Sequence, residues 1–208
     1  LSRNIPQADL SMKKGEWERK KFMGVELCGK TLGVAGLGRI GTEVAKRALS
    51  FERRVVAFDP YLSADKAKEL GIESVDLNTL LKESDYITVH TPLTDDTRHM
   101  ISDKEFGLTK KGVRIINCAR GGIVDEAALL RAIEAGKVAG AAFDVYEEEP
   151  PSKESKLLKS DKLVLTPHLG ASTEEAQVNV AIDVANTVRD ALLGRGIKNA
   201  INVPCLDP

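Results

Sequence analysis

Gly36, Gly38 and Gly41, in the run Gly36-Leu37-Gly38-Arg39-Ile40-Gly41, have the types and spacing to seat a diphosphate. The apolar run Thr31-Leu32-Gly33-Val34-Ala35 leads into them and a helix-like segment, Thr42 to Phe51, leads out. This predicts strand, glycine turn and helix in that order. Gly36 allows the tight turn, Gly38 has no Cβ to hold a pyrophosphate away, and Gly41 lets the helix lie close to the sheet. The helix N-terminus then offers N–H groups and the positive end of its dipole. Asp59 closes a second apolar run, Val55-Val56-Ala57-Phe58, roughly 20 residues after the motif, where dinucleotide-binding units place a ribose ligand. Its carboxylate can accept from both ribose hydroxyls and would repel a 2′-phosphate, and Tyr61 rather than an arginine follows it. NAD is therefore expected over NADP. A glycine turn of ordinary packing with a surface aspartate uses the same residue types, but it does not account for their order.

Elements must position these groups. Strand-length apolar runs recur at Thr31 to Ala35, Val55 to Phe58, Tyr86 to Val89, Val113 to Asn117, Ala139 to Val145 and Leu163 to Leu165, with helical patterns between them. Such alternation predicts an α/β fold: a Rossmann-type, doubly wound parallel sheet in a three-layer α/β/α arrangement. Asp125 is placed to cap a helix from Glu126 to Ala135 that Gly136 ends, and Thr173 to cap one running to Leu193. Phe51-Glu52-Arg53-Arg54 offers no glycine for a left-handed cap, so a weaker helix end is expected there. The domain reading is a connector over 1–22, a nucleotide-binding domain over 23–194 and a tail over 195–208.

The chain has 208 residues, 42% hydrophobic and 29% charged, with a formal net charge of −1. This is the composition of a globular domain without the strong basic field of a nucleic-acid binder. No apolar run approaches the roughly 18 residues of a membrane span. Cys28, Cys118 and Cys205 are widely spaced, without CxxC or metal-ligand spacing, so no metal site is expected and a reducing cytoplasm fits best. Leu1-Ser2-Arg3 carries no initiator methionine, which suggests a piece of a longer chain. The stretch Lys13 to Lys21 reads as a solvated connector, with Arg19-Lys20-Lys21 as the alternative: an electrostatic aid to an anionic substrate.

In an open α/β sheet the ligand crevice lies beyond the carboxyl ends of the strands. Four runs end in chemically capable clusters: His90-Thr91-Pro92, Cys118-Ala119-Arg120-Gly121-Gly122, Asp144-Val145-Tyr146-Glu147-Glu148-Glu149-Pro150 and Pro167-His168-Leu169-Gly170-Ala171-Ser172-Thr173. With the glycine motif and Asn117-Cys118-Ala119-Arg120-Gly121-Gly122-Ile123-Val124-Asp125-Glu126, these resemble the D-isomer-specific 2-hydroxyacid dehydrogenases over nearly the whole chain. His168-Leu169-Gly170-Ala171-Ser172-Thr173 and the tail Ile197 to Pro204 look most like the D-3-phosphoglycerate dehydrogenase branch. The chain departs from that pattern at Glu52, where relatives commonly have glycine.

The resemblance implies a catalytic set: Arg120 binds the substrate carboxylate and polarises the reacting oxygen, His168 is the acid/base, and Glu149 orients and charges it. The residue types suit the chemistry. Alcohol oxidation releases a hydride and a proton, imidazole exchanges protons near neutrality, and a guanidinium fork matches a carboxylate. The resemblance also implies cofactor contacts from Arg39 and Ile40 at the pyrophosphate, and from Asp59 at the ribose. Thr91 and Pro92 would line the adenine side. Cys118, Ala119, Asp144, Gly170 and Ala171 would stand at the nicotinamide end, with Arg120 and His168 beside them. His90 and His99 read as structural or surface residues.

The implied reaction is oxidation of 3-phospho-D-glycerate to 3-phosphohydroxypyruvate with NAD, at the entry to serine synthesis. A glyoxylate or hydroxypyruvate reductase of the same family, or an NAD-sensing corepressor-like protein, are the alternatives. The implied partners are a phosphorylated 2-hydroxy acid and a second copy of the chain in a homodimer or higher oligomer, with neither nucleic acid nor membrane. Family members build the substrate side from a separate domain, so this chain is expected to hold NAD with little turnover by itself.

Overall fold

A computed structural model describes residues 1–196. Seven strands form one all-parallel sheet: β1 (Thr31–Ala35), β2 (Arg54–Phe58), β3 (Glu73–Ser74), β4 (Tyr86–Val89), β5 (Val113–Asn117), β6 (Val138–Phe143) and β7 (Leu163–Leu165). Their order is β3-β2-β1-β4-β5-β6-β7. The order reverses between β1 and β4, which puts the open crevice of a doubly wound sheet at their carboxyl ends.

Helices cover both faces. α2 (Arg39–Leu49) and α3 (Ala64–Glu69) bury Ala45, Ala48 and Ala67 against Leu32, Val34, Val55 and Ala57. α4 (Leu77–Glu83), α5 (Asp103–Leu108) and α6 (Glu126–Glu134) bury Leu80, Leu81, Phe106 and Leu129 against Ala35, Val56, Ile87, Val89 and Ile115. Successive residues of β1, β2 and β4 thus serve opposite cores, which is why these strands read as unbroken apolar runs.

Local chemistry sets several boundaries where the sequence places them. Asp125 accepts the Ala128 N–H at 2.9 Å and begins α6, and Gly136 follows it with a φ of +67°. Thr173 accepts the Ala176 N–H at 3.1 Å and begins α7 (Glu174–Leu192). Other boundaries differ. The helix after the glycine motif starts at Arg39, ahead of the expected Thr42, because the turn itself supplies its first residues. The sixth strand ends at Phe143, two residues short of Val145, as the chain turns into an acidic loop. The 1–22 stretch, read as connector, contains a helix, α1 (Ile5–Lys13). The missing glycine after α2 is made good by Glu52 itself, which takes a φ of +54°, a backbone state costing about 1–2 kcal/mol for a residue with a Cβ.

The described chain forms two compact units, Leu1–Pro167 and a second that begins at His168. The tail from Ile197 to Pro208, with the run used in the phosphoglycerate-branch resemblance and Cys205, lies outside the described residues.

Candidate active site

The glycine loop leaves β1 at Gly36, whose φ of +92° suits only a residue without a Cβ. A Cβ there would stand 2.8 Å from backbone atoms of His90 and Thr91, and one on Gly41 would stand 2.0 Å from the Gly36 carbonyl oxygen. Gly38 is different, because nothing lies within 4 Å of where its Cβ would be. The fold itself requires Gly36 and Gly41, whereas Gly38 faces open space of the kind a ligand fills. Gly38 is also the N-cap of α2, and no side chain caps that helix. Arg39 and the 69% exposed Ile40 form its first turn.

Asp59 closes the floor of this cradle. Its Oδ2 accepts the Leu37 N–H at 2.7 Å and its Oδ1 the Tyr61 N–H at 2.8 Å, while the Gly36 N–H donates to the Phe58 carbonyl at 2.8 Å. Each carboxylate oxygen keeps a further lone pair for a hydroxyl. Across the loop, the end of β4 joins β1 through a 2.7 Å bond from His90 N–H to the Ala35 carbonyl. Thr91 follows, its hydroxyl buried without a hydrogen-bond partner, and the Pro92 carbonyl accepts from Thr97 Oγ1 at 2.6 Å.

The loop after β5 is shaped by Asn117, a residue only 1% exposed. Its Nδ2 donates to the Arg120 carbonyl at 2.9 Å and its Oδ1 accepts the Ala119 N–H at 3.1 Å. Cys118, Ala119 and Arg120 are thereby held in a tight turn with the Arg120 side chain exposed. Arg120 Nη1 donates to the Ala119 carbonyl at 2.6 Å, and among the described residues it has no carboxylate partner. Burial pushes the Cys118 thiol up, with the Asp144 charge adding, so it stays protonated near neutrality.

The next loop packs directly on this one, because a Cβ on Gly121 would stand 1.7 Å from the Tyr146 carbonyl oxygen. Asp144 is 5% exposed; its N–H donates to the Asn117 carbonyl at 3.0 Å and its Oδ1 accepts from Thr166 Oγ1 at 2.5 Å. Glu149 folds back so that its Oε1 accepts the Tyr146 N–H at 3.0 Å, and Tyr146 Oη donates to the Thr166 carbonyl at 2.8 Å.

One sheet edge of the first unit therefore gathers Gly36, Gly38, Arg39, Ile40, Gly41, Asp59, Thr91, Pro92, Cys118, Ala119, Arg120, Asp144 and Glu149. His168, Gly170 and Ala171 belong to the second unit. His168 is its first residue and has a φ of +53°, a state that costs energy and collects at functional sites. The Ala171 carbonyl accepts from Gln177 Nε2 at 3.3 Å, which ties the segment to α7. Sequence reasoning left Asn117 and Thr166 without roles, although a polar residue closing an apolar run was a usable signal for Asn117.

Residues 1–170 match the family model described as the D-isomer specific 2-hydroxyacid dehydrogenase, NAD binding domain. The chain is 55% identical over its whole length to a D-3-phosphoglycerate dehydrogenase from Archaeoglobus fulgidus, and 52% identical over 99% of its length to one from Bacillus subtilis. It spans 39% of the length of each of these relatives. A crystal structure of a D-lactate dehydrogenase from Aquifex aeolicus, complexed with NAD and lactic acid, superposes with a TM-score of 0.83 at 33% identity, covering 93% of this chain and 63% of that one. The strand order, the glycine cradle and these matches agree: the chain belongs to the D-isomer-specific 2-hydroxyacid dehydrogenases and carries their NAD-binding domain.

Proposed function

We propose that the chain is the cofactor-binding part of a D-3-phosphoglycerate dehydrogenase, which oxidises 3-phospho-D-glycerate to 3-phosphohydroxypyruvate. The observation that carries this reading is Arg120: an exposed guanidinium without a carboxylate partner among the described residues, on a residue whose backbone carbonyl Asn117 holds at the sheet edge that carries the glycine cradle. A cation so placed is ready for a substrate carboxylate.

The residues present fit NAD. The open space at Gly38, the α2 N-terminus without a side-chain cap and the unpaired buried hydroxyl of Thr91 are all features a dinucleotide would satisfy. Gly36 to Gly41 would hold the pyrophosphate, Asp59 the ribose, Thr91 and Pro92 the adenine side, and Cys118, Ala119, Asp144, Gly170 and Ala171 the nicotinamide end. When bound, the nicotinamide accepts the hydride.

The chain's own residues do the rest. Arg120 orients the substrate carboxylate and offsets charge developing on the reacting oxygen. His168 takes the hydroxyl proton, and Glu149 is the acid that the family resemblance assigns to fixing the base's tautomer and stabilising the imidazolium. The complete enzyme works as a homodimer in a reducing cytoplasm. Supporting this are Cys28 and Cys118, both free thiols among the described residues, and an N-terminal segment that exposes Ile5, Leu10, Met12, Trp17 and Met23. Among the described residues no helix is long and apolar enough to cross a membrane.

NADH titration of this chain, followed by assay of the complete protein with 3-phospho-D-glycerate, glyoxylate and hydroxypyruvate, tests the reading. NADH binding and preference for the phosphorylated substrate are expected, with Arg120→Lys losing about 100-fold or more in kcat/KM. Absence of NADH binding at millimolar concentration, or preference for the unphosphorylated acids, would sink it.

A further inference from the structure

A cluster outside the assigned residues ties together the two loops that carry Arg120 and Glu149. The Glu126 N–H donates to Glu147 Oε1 at 3.3 Å, and the Glu147 N–H donates to Glu126 Oε1 at 2.7 Å. Each carboxylate takes the other residue's backbone donor, so the start of α6 and the loop after β6 are joined reciprocally. Glu147 Oε1 also hydrogen-bonds His99 Nε2 at 3.1 Å, and His99 Nδ1 lies 3.9 Å from Asp125 Oδ2.

His99 is held for this contact. Its φ is +51°, its N–H donates to the Gly122 carbonyl at 2.7 Å, and two residues on Ile101 forms a parallel bridge with Val124. A non-glycine residue keeps such a conformation only where its surroundings over-determine it. Burial pushes the Glu126 carboxyl up, with the charges of Glu147 and Asp125 adding. A cluster of carboxylates in this state gains from a donor, and His99 supplies one.

The cluster connects to the chemistry by short paths. Gly121 and Gly122 follow Arg120 directly, with Gly122 bonded to His99 and Gly121 pressed on Tyr146. Tyr146 precedes Glu147, and its N–H anchors Glu149 Oε1 at 3.0 Å. We propose that His99, Glu126 and Glu147 form a clamp that sets the spacing between Arg120 and Glu149, so that His99 is a positioning residue for hydride transfer; this rests on the functional reading above.

The test uses the complete enzyme and compares His99→Ala with His99→Gln, whose side-chain amide nitrogen can stand where His99 Nε2 stands and keeps a donor to Glu147. His99→Ala is expected to lower kcat about tenfold with NADH affinity unchanged within about twofold, since small misplacements of reacting groups are costly. His99→Gln is expected to restore most of that loss. An unchanged kcat in His99→Ala, a parallel fall in kcat and NADH affinity, or no rescue by glutamine would each overturn the clamp. Activity of the unsubstituted enzyme judges the functional reading separately. If that activity is absent, amide exchange over 118–126 and 144–149 decides the clamp: faster exchange in His99→Ala supports it and unchanged exchange overturns it.

Discussion

Asp59 accepts the Leu37 N–H at 2.7 Å, so the residue suited to the cofactor ribose also holds the backbone of the pyrophosphate loop. In the proposed NAD site one carboxylate would serve both the ribose and the loop that seats the diphosphate. Replacing it therefore removes a ligand contact and loosens the cradle at once. Asp59→Ala is expected to weaken NADH about 10- to 100-fold, the range of one or two lost charge-assisted hydrogen bonds. NADPH should lose less, because the charge that repels a 2′-phosphate is gone. Fluorescence titration with both nucleotides checks this; an unchanged ratio of the two affinities would refute the discriminating role.

Gly38 and Gly41 should fail in opposite ways. A Cβ at Gly38 meets nothing within 4 Å, while one at Gly41 would sit 2.0 Å from a backbone oxygen. Gly38→Ala is expected to stay within about 1 kcal/mol of the parent in stability and to lose NADH binding about tenfold or more. Gly41→Ala is expected to destabilise by about 3 kcal/mol through overpacking. Urea unfolding and NADH titration of both variants separate the two roles.

The legible parts of this chain are those fixed by near neighbours in sequence. Asp125 and Thr173 cap α6 and α7 because capping needs only an oxygen and an N–H a few residues on. β4 and β5 end where their apolar runs end. β3 leaves no signal in the sequence, because Glu73 and Ser74 are both exposed and carry no apolar pattern. α1 was hidden by the charged run that follows it. The candidate catalytic types stand in whole motifs, but the contact of His99 with Glu147 spans 48 positions and leaves no trace in local pattern. Asn117 stood inside a recognised motif, yet its two hydrogen bonds to the Arg120 turn emerge only in three dimensions.

His90 gives the fold an acid-side weakness near the crevice. Burial lowers its pKa from the ordinary 6.5, with Nε2 3.0 Å from Thr88 Oγ1. The unfolded chain then takes up this proton before the folded one does. The stability held by neutral His90 is fully present above pH 6.5 and is lost as pH falls from there through the folded-state value. His90→Gln, which cannot titrate, should show a shallower loss of stability below that pH. Urea midpoints measured from neutral to acidic pH check this, and parallel curves for the two proteins would overturn it.

Asn117 should control the Arg120 turn more than it controls the cofactor. Its side chain satisfies the Arg120 carbonyl and the Ala119 N–H from a position only 1% exposed. Asn117→Leu keeps the branching at Cγ in a larger side chain and leaves both backbone groups without that partner, a loss of about 2–4 kcal/mol. Asn117→Asp can still accept the Ala119 N–H but sets a carboxylate against the Arg120 carbonyl, so it should be destabilised as well, through the second bond alone. In the complete enzyme both variants are expected to lose more in kcat/KM for the hydroxy acid than in NADH affinity, because Asp59 and Gly36 to Gly41 are held by bonds that do not involve residue 117. Steady-state kinetics beside NADH titration measures that difference. Equal losses in both quantities would show that the turn after β5 serves the cofactor as much as the substrate.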